Sequence, residues 1–129
     1  MNLLNASNSC IRTNRDELQI IRCKEMLFGL GYEFSSLSRI IQLAGNEVRM
    51  KILLLVQAEG KLCVCDLSDV LEMKIPAVSQ HLRKLKDAGL LVTQRKGTVI
   101  YYLVSEAHRD TVEALLNIVP AQHALKVVL

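Results

Sequence analysis

Apolar residues recur every three or four positions over four stretches of the chain, a period typical of amphipathic helices. The spacing predicts helices over residues 14–27, 33–43, 47–58 and 106–119. Each helix then has one apolar face, and we expect these faces to form the core. In the first helix the expected inward residues are Leu18, Ile21 and Phe28.

Polar and helix-breaking residues mark the ends of these stretches. Asn14 and Glu17 have the spacing of a capping box before the first helix, and Pro120 breaks or kinks the last one. The Asn- and Ser-rich residues 1–13 are predicted to be a flexible arm. With 129 residues in total, residues 14–129 fit one domain.

The pattern changes in the middle of the chain. A short β-prone run, residues 62–65, leads into a helix with Leu67, Val70 and Leu71 inward. After a turn, a second helix is predicted over residues 76–86. Its expected inward residues are Ile75, Val78, Leu82 and Leu85.

Two β-rich runs follow this helix pair, over residues 90–94 and 99–104. The Gly-containing segment 95–98 between them predicts a hairpin turn with charge at its tip. Two helices joined by a short turn and followed by a hairpin define a winged helix-turn-helix. The predicted fold class is therefore mainly α with a small β-hairpin, in a dimeric protein.

Charge is concentrated in this same region. Six Lys or Arg residues and a single Asp lie from Lys74 to Lys96, a surplus larger than the +3 net charge of the whole chain. Such a block favours nucleic-acid binding; the alternative is a solvated basic face. Aromatic residues make up only 4% of the chain, which argues against binding by base stacking.

The second helix of the pair would then lie in a DNA major groove. Ser79 and Gln80 suit base-edge hydrogen bonds, and Arg83 could read guanine or hold phosphate. His81 could be packed, touch phosphate or read a base. The expected phosphate contacts are Lys74, Lys84, Arg95 and Lys96. One module makes few contacts, so we expect a homodimer on an imperfect inverted-repeat operator, with recognition helices ~34 Å apart.

The chain has four cysteines, two of them one residue apart. It shows no signal-peptide pattern and no apolar run long enough to span a membrane, which predicts a cytoplasmic protein with reduced thiols. Cys63 and Cys65 lie where an extended segment becomes a helix, so both can face one ion. Cys23 and Cys10 are further candidate ligands. The alternative is that Cys63 and Cys65 are small buried hydrophobic residues.

Residues 37–104 resemble the ArsR/SmtB family of bacterial metal-sensing repressors. The resemblance rests on four segments: Ala44–Arg49, Leu62-Cys63-Val64-Cys65-Asp66-Leu67, Pro76–Leu85 and Gly89-Leu90. It implies a homodimeric repressor that leaves its operator when a thiophilic ion binds the Cys63–Cys65 box. It also implies further ligands from N-terminal cysteines, sometimes of the other subunit.

Two positions depart from the family pattern. Lys74 occupies a position where members often have a Ser or Thr that caps the recognition helix. The absence of this cap should lower the free energy of unfolding by about 1 kcal/mol. Glu106 and His108 match the first half of a second zinc site, but the later positions fall near Val119 and Gln122. His123 could replace one of the missing ligands. The site would still be incomplete, because zinc normally has four ligands.

These observations predict a repressor that a thiophilic ion releases from DNA, and not an enzyme. Thiolate chemistry suits Cd(II), Pb(II), Hg(II), As(III), Bi(III) or Zn(II) and does not select among them. A second hypothesis keeps DNA binding but has Cys63, Cys65 or Cys23 form a disulfide in a redox-sensing repressor. Two others are an enzyme with a Cys nucleophile, for which no Cys-His-Asn/Asp arrangement appears, and a winged helix that binds only proteins.

Overall fold

The computed structural model describes residues 9–119, and its contacts divide the chain into two units, residues 1–36 and 37–129. The helices are α1 Glu17–Gly29, α2 Gly31–Ala44, α3 Glu47–Glu59, α4 Val64–Leu71, α5 Ile75–Asp87 and α6 Arg109–Leu116. The strands are β1 Leu62–Cys63, β2 Leu91–Lys96 and β3 Val99–Val104. The predicted winged helix-turn-helix is confirmed, with α4 and α5 as the helix pair and β2–β3 as the wing. The predicted arm (1–13) and domain (14–129) stay predictions.

Helix α1 begins later than its sequence pattern indicated. Asp16 caps it, because the Asp16 Oδ1 accepts a hydrogen bond from the Gln19 backbone N–H at 3.0 Å. The predicted Asn14 cap was therefore wrong. The inward stripe was also wrong within this chain, since α1 has no buried residue and Phe28 is 92% exposed.

Helix α3 has the ends that its sequence predicts. The Asn46 Oδ1 accepts a hydrogen bond from the Arg49 backbone N–H at 3.1 Å, and Gly60 ends the helix with φ +88°, a conformation that favours glycine. Ile52, Leu53 and Val56 of this helix are buried in the core.

The helix pair buries a compact apolar face in the second unit. Val78, Leu82 and Leu85 of α5 are fully buried, which stabilises the helix by about 1.5–3 kcal/mol per side chain. Two predicted inward residues are exposed, Val70 at 59% and Ile75 at 46%. Both lie at the edge of their helical stripe, and Ile75 is also the first residue of α5.

The sheet is antiparallel in the order β1–β3–β2. Cys63 pairs with Tyr101, so β1 is joined directly to the wing. At the tip, Lys96 pairs with Val99, which leaves a turn of only Gly97 and Thr98. The predicted turn, residues 95–98, was longer than the observed one. The observed turn is short because Gly97 has a positive φ, +63°, which lets the chain reverse in two residues.

The last described helix is shorter than predicted. Residues Glu106–His108 form a 3₁₀ turn, and Ser105 makes no side-chain capping bond there. Helix α6 buries Val112 and Leu116 and ends at Leu116, where 119 was expected. The predicted break at Pro120 lies outside the described residues. Over residues 9–119, no helix is long and apolar enough to cross a membrane.

Candidate DNA-binding surface and thiol site

The outward face of α5 carries the predicted reading residues. Gln80, Arg83 and Lys84 are exposed, because the apolar residues of the same helix hold its opposite side in the core. Ser79 is half-buried and borders a cleft described below. The structure thus presents an amide and two cations together on one free helix face.

His81 has the surroundings of a packed, uncharged imidazole. Its Nδ1 is buried without a hydrogen-bond partner among the described residues. Burial lowers the pKa of His81 below its ordinary value, and the cations of Arg49 and Lys84 lower it further. Arg49 is itself held by a hydrogen bond from its Nε to the Leu43 carbonyl oxygen at 2.6 Å. A DNA contact by His81 stays a prediction.

Lys74 occupies the N-cap position of α5 and makes no side-chain capping bond. We therefore expect Lys74→Ser to raise the free energy of unfolding by about 1 kcal/mol. The same change removes a predicted phosphate contact, so it should weaken DNA binding and reduce the salt slope by about one. Denaturant unfolding and DNA titration at several salt concentrations measure the two effects.

The control for this change is Lys74→Gln, which removes the charge without supplying a good cap. It should weaken DNA binding as Lys74→Ser does and leave stability near that of wild type. Equal stability of the two variants would contradict a missing cap.

The wing carries the other predicted phosphate contacts. Arg95 and Lys96 are exposed, and the Arg95 Nε donates a hydrogen bond to the Gly97 carbonyl oxygen at 3.1 Å. This bond directs one cation along the wing tip.

Lys61 is a neighbour of the wing that the sequence analysis missed. Its Nζ lies 4.9 Å from the centre of the Tyr101 ring, a cation–π arrangement. Lys96 lowers the pKa of Lys61 below its ordinary value, because the positive charge of its ammonium group disfavours the charged form of Lys61. Lys61 lies two residues before Cys63 in the sequence. This position predicts a place beside the wing only when the pairing of β1 with β3 is known.

Cys63 and Cys65 lie at a strand-to-helix junction, as predicted. Cys63 is half-buried and extended, at the N-cap of α4, without a side-chain capping bond; Cys65 is exposed in the first turn. Both border an open cleft of about 410 Å³. Its lining residues are Cys63, Val64, Cys65, Ser79, Thr98, Val99, Ile100 and Tyr102. The cleft therefore joins the thiol box to the recognition helix and the wing.

The remaining candidate ligands are not gathered around this cleft within the second unit. Cys10 and Cys23 belong to the first unit and are exposed. Within residues 37–119, no three His, Cys, Asp or Glu side chains form a group that could hold a metal. Glu106 is exposed, and the Nδ1 of His108 is buried without a hydrogen-bond partner among residues 9–119. His123 lies outside the described residues.

A basic helix-turn-helix with a wing is typical of DNA-binding transcriptional regulators, and the proteins that this chain resembles agree with that class. The model of the bacterial regulatory protein, arsR family, matches residues 46–93. The chain is 31% identical to the arsenical resistance operon repressor of Staphylococcus aureus, over 67% of this chain and 82% of the relative. The protein belongs to the arsR family.

Other relatives are named for resistance to different ions. The chain is 36% identical to the arsenic resistance transcriptional regulator ArsR1 of Pseudomonas putida over 60% of its length. It is 31% identical to a cadmium resistance regulator, a CadC homolog of Staphylococcus aureus, over 55% of its length. The matches span 61% and 59% of these two relatives.

Solved structures share the fold. Reduced HlyU from Vibrio cholerae has a TM-score of 0.63 at 27% identity and covers 71% of this chain and 97% of its own. A homodimeric winged helix-turn-helix DNA-binding domain from Mycobacterium bovis has a TM-score of 0.60 at 26% identity, covering 73% and 86%. The Mycobacterium bovis domain is described as part of a possible ArsR-family transcriptional regulator, and the relatives above are named as regulators or repressors. These names agree with the prediction that the chain is not an enzyme.

Proposed function

We propose that the protein is a homodimeric repressor that binds operator DNA and releases it when a thiophilic metal or metalloid ion binds Cys63 and Cys65. One observation carries this proposal. The two thiols border the same cleft as Ser79 of the recognition helix and β3 of the wing. A change at the thiols therefore acts on both predicted DNA-contacting elements.

The residues present fit a soft ion. Cys63 and Cys65 are free thiols, one of them exposed, and thiolate ligands select thiophilic ions such as those of cadmium, lead, mercury, arsenic or zinc. A bound ion would fix the two sulfur atoms relative to each other. Since the described part of the second unit offers no third ligand group, we assign further ligands to Cys23 and Cys10, of the same or the partner subunit. The names of relatives include both arsenic and cadmium resistance.

The protein supplies the coupling between the thiols and the DNA-binding face. Fixing Cys63 moves β1, whose pairing with Tyr101 passes the displacement to the wing. Fixing Cys65 moves the start of α4, which packs against α5; Leu67 of α4 and Leu82 of α5 belong to one buried core. Because packed cores change between discrete arrangements, a small shift at the thiols can reorient the recognition helix.

The energy required is within the range of a thiolate site. Taking a repressor from nearly all bound to nearly all free requires the ion to favour the released conformation by ~5.5 kcal/mol. Structural zinc sites contribute ~10–16 kcal/mol in apparent terms. A site with three or four thiolates therefore has a sufficient margin.

An apolar groove supports the homodimer. It has a volume of about 170 Å³ and lies among the ends of α2, α3 and α6. Met50 and Ile118, which line it, are 40% and 79% exposed. Such surface on a small domain favours a protein partner, and one neighbour of the same fold is homodimeric. We assign the groove to a second copy of this chain.

Metal-by-metal release of DNA tests the proposal, with absorption of the thiolate-to-metal bond as a second readout. An inverted-repeat duplex selected in vitro serves as the probe. We expect at least one of the Cd(II), Pb(II), Hg(II), As(III) and Zn(II) ions to bind and to release it. Binding of all these ions without release would contradict the proposal.

Arg83→Ala is a test of separate roles in the same assay. The Arg83 side chain is exposed on α5 and is not among the residues that line the thiol cleft. Its loss should weaken DNA binding by about 1–3 kcal/mol and leave the number of bound ions unchanged. An altered metal count would contradict the division between thiol site and reading face.

A redox-sensing repressor is the second candidate. Its support is that the thiols are free and accessible and that a neighbour of the same fold was described in a reduced form. In that case peroxide would release DNA and a metal chelator would have no effect.

A further inference from the structure

The sheet brings together two lysines that are far apart in the sequence. Lys61 comes two residues before Cys63, which pairs with Tyr101. Lys96 comes two residues after Gln94, which pairs with Tyr101 from the other side. Because alternate residues of neighbouring strands share a face, Lys61, Tyr101 and Lys96 all belong to one face of the sheet.

The side chains agree with this register. The Lys61 Nζ lies 4.9 Å from the centre of the Tyr101 ring, and Lys96 is the neighbour whose charge acts on Lys61. Neither lysine forms an ion pair with an acid within residues 9–119. In this register Lys61 and Lys96 are both diagonal neighbours of Tyr101, within reach of long side chains. Their like charges repel each other, and a shared anion would relieve that repulsion.

We propose that Lys61 and Lys96 hold one phosphate group of the DNA backbone together, over the face of Tyr101. The proposal rests on the proposed DNA binding and adds a contact outside the recognition helix. Two lysines around one phosphate act as point charges that position the duplex without reading its sequence. Lys61 also directly precedes β1, which carries Cys63, so the thiol site and this phosphate contact lie on one short segment.

A double-mutant cycle tests the shared contact. The probe is a labelled duplex of random sequence, ~30 base pairs long, titrated at several salt concentrations, because non-specific binding depends on phosphate contacts. We expect Lys61→Gln to weaken binding about fivefold, the upper range for an exposed charge pair. In a Lys96→Gln background the same change should cost less than about twofold. Lys61→Arg, which keeps the charge, should bind like wild type.

Lys51→Gln is the matched control, since Lys51 is an exposed lysine on α3 paired with Glu47 at 3.3 Å. It should leave DNA binding unchanged. An equal loss in Lys51→Gln would show a general charge effect and overturn the proposal, as would additive losses for Lys61 and Lys96. Unchanged binding in Lys61→Gln would overturn it while leaving the repressor intact.

A second arm separates DNA phosphate from free phosphate. Inorganic phosphate is titrated at constant ionic strength while the lysine side-chain resonances are followed by NMR. We expect no saturable binding. Saturable binding that disappears in Lys61→Gln, with DNA affinity unchanged, would assign the pair to a free anion. Absence of salt-dependent DNA binding by wild type would overturn the proposed function and this contact together.

Discussion

We expect Cys63→Ser and Cys65→Ser each to bind DNA like wild type and to need a much higher metal concentration for its release. Removing one thiolate from the proposed site should weaken binding of Cd(II) or As(III) by at least about 100-fold, since even loss of a residue that only supports a metal ligand costs about 10–100-fold. The metal concentration that releases the duplex should rise by the same factor. Fluorescence anisotropy of a labelled duplex during metal titration measures this change.

The ion-free behaviour of these variants is the critical control. Cys63 lies at the N-cap of α4 without a side-chain capping bond, and Ser is a preferred N-cap residue. Cys63→Ser should therefore be as stable as wild type or up to about 1 kcal/mol more stable. Cys65 is exposed, so its replacement should be nearly neutral. Loss of DNA binding in either ion-free variant would contradict a purely sensory role.

Cys23→Ser and Cys10→Ser extend the same measurement to the proposed additional ligands. If the replaced cysteine is a ligand, the variant should bind metal more weakly and show an altered thiolate absorption spectrum. Mixed dimers of a Cys63→Ser chain with a Cys23→Ser chain would show whether the ligands come from one subunit or two.

The second large effect is expected at the apolar groove. Ile118→Glu and Met50→Glu place a charge where we propose that a second copy packs, and burying an unpaired charge is strongly unfavourable. Each variant should be monomeric by light scattering. Its affinity for an inverted-repeat duplex should fall at least about 100-fold, because one half-site is then bound instead of two.

Val70→Glu is the control for oligomeric state. Val70 is an apolar residue with 59% exposure, and it is not among the residues that line the groove. This variant should keep the mass of wild type. A monomeric wild-type protein, or a dimer that survives Ile118→Glu and Met50→Glu, would contradict the assignment of the groove.

The sequence predicted the helix pair and the placement of its candidate site residues well, because short-range rules govern both. Hydrophobic period placed Val78, Leu82 and Leu85 in the core, and the intervening polar residues had to face outward. The Cys63–Cys65 box fell at the strand-to-helix junction as expected. Two errors were at the edges of apolar helix faces, where Val70 and Ile75 are exposed. A third error was the apolar face of α1, none of whose residues is buried within the described chain.

The sequence by itself determined the winged helix-turn-helix, the basic outward face of its second helix and the position of the paired thiols, since each follows from spacing along one segment. Only the tertiary structure decided that β1 pairs with β3, so that Cys63 lies beside Tyr101 and Lys61 and Lys96 flank Tyr101 from its two sides. The reason is that strand pairing joins residues separated in sequence by a whole helix pair. Local sequence patterns do not determine which edge of a sheet a short strand pairs with.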